Sequence, residues 1–460
     1  MYIEQLYTTC LAEAAYYIES EGIAAIIDPL RETDPYIALA AKRNASIKYV
    51  FETHFHADFV SGHIDLAKKT GAQIIYGPTA VTGYEVVVAK DEQVFEIGKI
   101  KIKVLHTPGH TLESSCYLLI DEQGKEHAVF TGDTLFVGDV GRPDLAIKSD
   151  LTVEDLAGMM YDSLNKKIKP LADEVIVYPA HGAGSSCGKN IGKETFSTIG
   201  QQKKMNYALQ AMNKSEFVKA VTEGLSDPPR YFQMDAMLNK EGYENIDKVL
   251  NKNTRALSVE EFEAMATGDV IILDTRTPDE FEKGFVPGSI NIGLNGQYAP
   301  WVGALLDPSK PLLIIASEGK ETEAVLRLAR VGYENVKGFL KGGTDAWLKA
   351  GKAIDKVSSV DAQTFVDKQK GFDVIDVRNT GEWGNGVIEN AHLITLSELE
   401  ENLQELDKSS HYFVHCAGGY RSMMAASILK KHGFSKVTNV LGGIGKIKET
   451  SIKLVQPETV

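Results

Sequence analysis

Short apolar runs recur along the first part of the chain, and most of them end at Gly, Pro, Asp or His. Ile23–Asp28, Ile47–Thr53, Gln73–Tyr76, Ile100–His106, Cys116–Ile120, Ala128–Thr131 and Glu174–Tyr178 read as buried strands. Helical periodicity is expected over Gly62–Thr70, Thr152–Lys166 and Ser197–Ala211. Polar residues at strand ends lie on loops, where functional groups gather. The pattern weakens over Ser215–Arg255, and Pro228-Pro229 stops any helix that reaches it. This stretch reads as the end of a first domain plus a linker.

The remainder of the chain contains an internal repeat. Ser258-Val259 opens a helix (Glu260–Thr267), and a strand then ends at Asp274-Thr275-Arg276. A second copy opens at Ser359-Val360 and reaches Asp376-Val377-Arg378. The strand Leu312–Ala316 matches Tyr412–His415, Gly332-Tyr333 matches Gly433-Phe434, and Gly342-Gly343 matches Gly442-Gly443. A period of about 100 residues exceeds a solenoid unit and fits two tandem α/β domains.

Composition narrows the setting. The 460 residues are 43% hydrophobic and 24% charged, an ordinary globular balance. The net charge of −14 disfavours nucleic acid as a partner. Cys10, Cys116, Cys187 and Cys416 form no CxxC pair, so neither a zinc ribbon nor a disulfide framework is indicated. No long apolar stretch and no basic leader with an apolar core is visible, so a cytoplasmic protein without membrane association is expected.

The strongest chemical signal is Thr53-His54-Phe55-His56-Ala57-Asp58, directly after a strand. Imidazoles two positions apart on a loop face one point, and a carboxylate two residues further on binds metal or orients an imidazole. Thr107-Pro108-Gly109-His110-Thr111, Phe130-Thr131-Gly132-Asp133-Thr134 and Pro179-Ala180-His181-Gly182 each place another donor after an apolar run. One such His alone is more often a hydrogen-bonded core residue than a ligand. Four such sites in series are not explained that way. His63 and His106 are read as structural.

The series HxHxD, PGHT, GDT and AHG resembles the metallo-β-lactamase fold, an αββα sandwich with its metal at one edge. The resemblance specifies fold and not reaction. Hydrolases of this fold, such as glyoxalase II, carry a further His where this chain has Phe59, so a mononuclear site is expected. The persulfide dioxygenases that the chain resembles hold one Fe(II) by two His and one Asp. That implies His54, His110 and Asp133 as ligands, open positions for O2 and a substrate sulfur, and His56, Asp58 and His181 as groups around them. Related dioxygenases place an Arg near Arg142 against the substrate thiol; an ordinary salt bridge is the equal alternative. Cys187 reads as a packed thiol or a sulfur relay.

The second repeat reads His415-Cys416-Ala417-Gly418-Gly419-Tyr420-Arg421-Ser422, then an apolar helix. A strand, a Cys, a glycine-containing loop and a helix N-terminus together favour an anion, so the Cys416 thiol is expected to have a lowered pKa. The loop resembles the rhodanese active-site loop. It makes Cys416 and Arg421 the catalytic pair, with Gly418, Gly419 and Ser422 cradling the sulfur substrate. Asp376-Val377-Arg378 with Glu382-Trp383 accompanies that signature. The first repeat has Ser317-Glu318-Gly319-Lys320-Glu321-Thr322-Glu323 instead. A hydroxyl carries no sulfane sulfur, so this copy is read as inactive, kept for structure or docking.

The expected organisation is therefore α/β and α+β multidomain: a metal domain at 1–235, a linker at 236–255, an inactive rhodanese-like domain at 256–352 and an active one at 357–455. The resemblance implies oxidation of a low-molecular-weight thiol persulfide to sulfite, with sulfur transfer giving thiosulfate, in a homo-oligomer. The alternatives are a zinc thioester hydrolase of glyoxalase II type and a non-catalytic sulfur carrier.

Overall fold

The computed structural model describes residues 1–145, 151–225 and 227–457. The chain divides into two compact units, Met1–Val249 with Leu328–Tyr333, and Leu250–Arg327 with Glu334–Val460. Among the described residues no helix is long and apolar enough to cross a membrane.

The first unit contains two six-stranded sheets. One runs, in spatial order, Tyr2–Thr8, Glu13–Ser20, Ile23–Ile27, Ser46–Phe51, Gln73–Tyr76 and Val87–Val88. The other runs Ser197–Thr198, Ile176–Pro179, Glu126–Gly132, Ser115–Ile120, Ile100–His106 and Val94–Ile97. Tyr16, Phe51 and Ile75 of the first meet Phe130, Tyr117 and Ile102 of the second in one buried core. Outside the first sheet, Tyr17, Ile26 and Val50 pack on Tyr36, Ala40 and Leu66 of helices. Outside the second, Cys116, Leu118 and Val129 pack on Ala157, Met160 and Leu164. This is the expected αββα sandwich.

Among the strands that escaped the sequence pattern are Tyr2–Thr8 and Glu13–Ser20. Every residue of Glu13–Ser20 is buried. Its alternate side chains enter different cores, Ala14, Tyr16 and Ile18 between the sheets and Ala15 and Tyr17 under the helices. A strand covered on both faces has no polar period to read.

The stretch expected as a linker, 236–255, carries helical structure. Phe232–Glu241 and Ile246–Asn253 are helices. The Asn239 amide donates to the carbonyls of His56 and Phe59, both at 2.8 Å, and the Asp65 carboxylate accepts from Ile246 N at 2.8 Å. Buried polar anchors of this kind hold both helices, of which only Phe232–Glu241 is weakly amphipathic.

The second unit carries two five-stranded parallel sheets of matching order. The first runs Ala256–Leu257, Val336–Leu340, Leu312–Ile315, Ile271–Asp274 and Ile290–Asn291; the second runs Ser358–Val360, Val437–Val440, Tyr412–His415, Asp373–Asp376 and His392–Leu393. Each has its own core, around Phe262, Leu313 and Trp347 in one and Phe365, Phe413 and Ile447 in the other.

Candidate metal centre and sulfur-transfer loop

The strands Ser46–Phe51, Glu126–Gly132 and Ile176–Pro179 each run out into a turn that carries donors. Gly132 is essential to this convergence. It has φ +50°, and a Cβ there would sit 2.5 Å from Thr53 Oγ1. The two sheets can therefore bring His54 and Asp133 together only over a glycine.

Ligand atoms of His54, His110 and Asp133 lie within 4.8 Å of one another, and all three residues are buried. The nearest pairs are His110 Nε2 to Asp133 Oδ2 at 3.4 Å and His54 Nε2 to Asp133 Oδ2 at 3.8 Å. His56, Asp58 and His181 form a second trio within the same limit. Asp133 sits at the junction, since its Oδ1 lies 3.5 Å from His181 Nε2. His181 Nε2 is also 3.4 Å from Asp58 Oδ2.

The rings are aimed by their other nitrogens. His54 Nδ1 lies 2.9 Å from Thr53 Oγ1, which donates in turn to Asp28 Oδ2 at 2.8 Å. His110 Nδ1 faces the Arg142 carbonyl at 2.8 Å, and His181 Nδ1 faces the Ala12 carbonyl at 3.2 Å. With Nδ1–H donating, each Nε2 turns a lone pair into the site. His54 Nε2, His181 Nε2 and both Asp133 oxygens are buried without a hydrogen-bond partner. Buried polar atoms left unpaired are costly, and a cation removes that cost here. The donor set therefore fits a metal ion.

Electrostatics separates the two HxH imidazoles. Burial, reinforced by the neighbouring imidazoles, holds His54 well below the usual histidine range and so keeps it neutral, as a ligand must be. Burial pulls His56 down as well, but Asp28, Glu52 and Asp58 outweigh it and raise it to about 10. His56 Nε2 is 3.1 Å from Asp28 Oδ1, and its ring lies on Phe59 with centroids 4.3 Å apart. Asp28 and Glu52 were not singled out by sequence reasoning, and Thr53 only as the residue that opens the HxHxD run; the signal was that Asp28 and Thr53 each end a predicted strand.

The Arg142 guanidinium is bidentate to Asp144, both contacts at 2.7 Å, and almost fully buried. Its carbonyl, through His110, is what serves the trio in this structure. Cys187 lies beside Asp133 and His181. Burial and the nearby Asp58 and Asp133 carboxylates push its thiol well above the usual cysteine range. His63 is buried and lies 2.6 Å from Tyr84 Oη, and His106 Nε2 is 2.9 Å from the Leu112 carbonyl, both consistent with structural roles.

In the second unit, Cys416 follows the strand Tyr412–His415 and precedes the helix Tyr420–Lys431. Gly419 N donates to Cys416 Sγ at 3.1 Å, from a φ of +106°. Ser422 Oγ is 3.7 Å from the sulfur and is tied to Asn439 Oδ1 at 2.7 Å. Arg421 makes two contacts with Glu382, at 2.6 and 2.8 Å. Nothing lies within 4 Å of a Cβ built on Gly418, so that side of the loop is open. A Cβ on Gly443 would lie 2.2 Å from the Cys416 carbonyl, so the glycine pair at 442–443 lets the chain close over the loop.

The Metallo-beta-lactamase superfamily profile matches residues 8–181, and the Rhodanese-like domain profile matches 258–350 and 361–450. A metallo-beta-lactamase from Staphylococcus aureus is similar in structure, with 31% identity and a TM-score of 0.65, over 74% of this chain and 98% of that one. ETHE1 from Myxococcus xanthus shows 28% identity and a TM-score of 0.44, over 52% of this chain and all of that one. Among curated proteins, the probable hydroxyacylglutathione hydrolase glo2 of Schizosaccharomyces pombe is 32% identical over 180 residues, 38% of this chain. The chain spans 65% of that relative's length.

Proposed function

This chain belongs to the metallo-β-lactamase superfamily and carries two rhodanese-like domains behind its metal-site domain, and from that premise we propose that it is a persulfide dioxygenase coupled to a sulfurtransferase. The domain combination supports an enzyme of sulfur metabolism. The observation that carries the finer reading is the trio of His54, His110 and Asp133, with unpartnered buried donor atoms, beside a phenyl ring at Phe59 that offers no lone pair. Ferrous iron held by that trio would supply open coordination positions for dioxygen and for the sulfane sulfur of a thiol persulfide.

The protein's own part is positional. Asp28 and Thr53 hold His54, and the Arg142 carbonyl holds His110, so both rings meet one point without rearrangement. Phe59, Val60 and Leu135, next in sequence to these turns, are completely buried. At the other centre, sulfite attacks the outer sulfur of a Cys416 persulfide. The new sulfur–sulfur bond of thiosulfate forms as the bond to Cys416 breaks, and that electron pair returns to the Cys416 thiolate. The Gly419 N–H, 3.1 Å away, steadies the returning charge.

The test is metal analysis with oxygen uptake on glutathione or coenzyme A persulfide. Iron, with oxygen consumed and sulfite formed, is the expected result. A second reading has its own observation. His56, Asp58 and His181 form an adjoining trio, and the curated relative is a hydroxyacylglutathione hydrolase. Two zinc ions, thioester turnover and no oxygen uptake would replace the first reading with that one.

A further inference from the structure

The first repeat touches the Cys416 loop of the second at Tyr420. It lies between Gly419, whose N–H bonds the Cys416 sulfur, and Arg421, which is held by Glu382. Its side chain leaves its own domain. The Tyr420 hydroxyl donates to the Gly293 carbonyl at 2.7 Å. Its ring lies flat on Gly296, where a Cβ would stand 2.5 Å from Tyr420 Cζ and 2.8 and 2.9 Å from the two Cε atoms. No side chain fits there while the ring keeps this place.

The segment that receives Tyr420 is held from within the first repeat. Arg327, on the helix Glu321–Ala329, donates to the carbonyls of Leu294 at 2.7 Å and Gly296 at 3.2 Å. That helix follows the altered loop beginning at Ser317, so it is the counterpart of the helix that carries Cys416 chemistry in the second repeat. One edge-strand residue adds a second attachment. Asn291 N donates to Ser427 Oγ at 2.9 Å, midway along the helix Tyr420–Lys431. The Asn291 amide is itself tied to the Asp274 and Arg276 carbonyls.

We propose that Tyr420 is a positioning residue through which the first repeat fixes the geometry of the Cys416 loop, so that sulfur transfer by the second repeat depends on the Gly293–Gly296 segment of the first. The physical basis is short covalent distance. The peptide that aims the Gly419 N–H at sulfur and the residue that carries the Arg421 guanidinium flank Tyr420 on either side. Anchoring its ring on another domain removes the rotational freedom of both. Directed N–H groups work through orientation, and a small tilt weakens them. This proposal rests on Cys416 being the sulfur carrier.

The experiment uses the full chain with two variants. Tyr420→Phe keeps the ring and removes one hydrogen bond; thiosulfate formation should fall about fivefold in kcat/KM, the size of one net hydrogen bond. Gly296→Ala displaces the ring from a site far away in sequence and should cost more, about tenfold or above. The readout that a merely structural role leaves unmoved is the pH profile of Cys416 alkylation by iodoacetamide, located by peptide mass. Its midpoint should rise in both variants while the thermal unfolding midpoint of Tyr420→Phe stays at the parent value. An unshifted profile and unchanged kcat/KM in folded Tyr420→Phe overturns the proposal, whatever happens to Gly296→Ala. Transfer that survives in Cys416→Ser overturns the underlying reading instead, so the two failures are distinguishable.

Discussion

The two rhodanese-like repeats share a frame and differ in a loop. In each, an Arg two residues after the strand-end Asp turns back on it: Arg276 Nη2 to Asp274 Oδ2 and Arg378 Nη2 to Asp376 Oδ2 are both 2.6 Å. Each guanidinium also donates to a carbonyl eight residues on, Gly284 at 2.9 Å and Gly386 at 3.0 Å. The brackets match in these contacts; the loops do not. Glu382 receives the Arg421 fork, whereas Glu280, at the same place in the first repeat, is paired with the Thr277 and Ser317 hydroxyls. Thr322 stands where Arg421 would be. The two repeats thus share the Asp-x-Arg bracket and a parallel sheet of the same order, and differ in the six residues that begin at Ser317 in one and Cys416 in the other.

The largest effect that tests this division is Cys416→Ser. Thiosulfate formation should fall by at least about a thousandfold, as removal of a nucleophile does. Oxygen uptake on persulfide substrate should continue, because the metal trio lies in the other unit. Loss of both activities in a folded variant would break the comparison by making the loop part of the metal chemistry. Next in size are the brackets. Asp376→Ala and Asp274→Ala each leave a largely buried guanidinium without its carboxylate, and each should cost about 3–5 kcal/mol. Urea unfolding of the two variants checks this. A large loss in one and none in the other would show that the frames are not equivalent.

Much of the comparison was readable in the residue pattern, and the reason is local. His54, Asp133 and Cys416 each follow an apolar strand and precede a turn, so spacing alone exposes them. The groups that orient them were not readable. Asp28 reaches His54 only through Thr53. Glu13 hides in a strand with no exposed residue, its carboxyl pushed well above the usual range by burial. The helices Phe232–Glu241 and Ile246–Asn253 escaped because their anchors, His56 O, Phe59 O and Asp65, are far away in sequence. Tyr420 drew no separate reading within its loop, since its partner glycines belong to the other repeat. What was missed depends on tertiary contact rather than on local propensity.

Arg421→Lys sharpens the loop side of the comparison with a smaller change. It keeps the charge and removes the fork that matches both Glu382 oxygens. Glu382 Oε2 also accepts from Asn379 N at 3.0 Å, capping its own short helix, so the ion pair joins the loop to the turn after Asp376. Transfer should slow about tenfold, the scale of one charge-assisted hydrogen bond. An unchanged rate of thiosulfate formation would mean that the backbone alone shapes the loop.

The smallest expected effect is no gain at all. Ser317→Cys restores the sulfur to the first repeat but not its surroundings. Glu318, Glu321 and Glu323 still flank the loop, Glu280 still faces position 317, and Thr322 offers no cation to offset them. A persulfide formed there is repelled by like charge and has no fork to fix its loop. Assayed in a Cys416→Ser background, Ser317→Cys should show no thiosulfate formation above that background. Adding Thr322→Arg supplies Glu280 with the partner that Glu382 has, and slow transfer should then appear. If Ser317→Cys alone transfers sulfur, the cradle matters less than the atom it holds, and the two repeats differ by one side chain rather than by a loop.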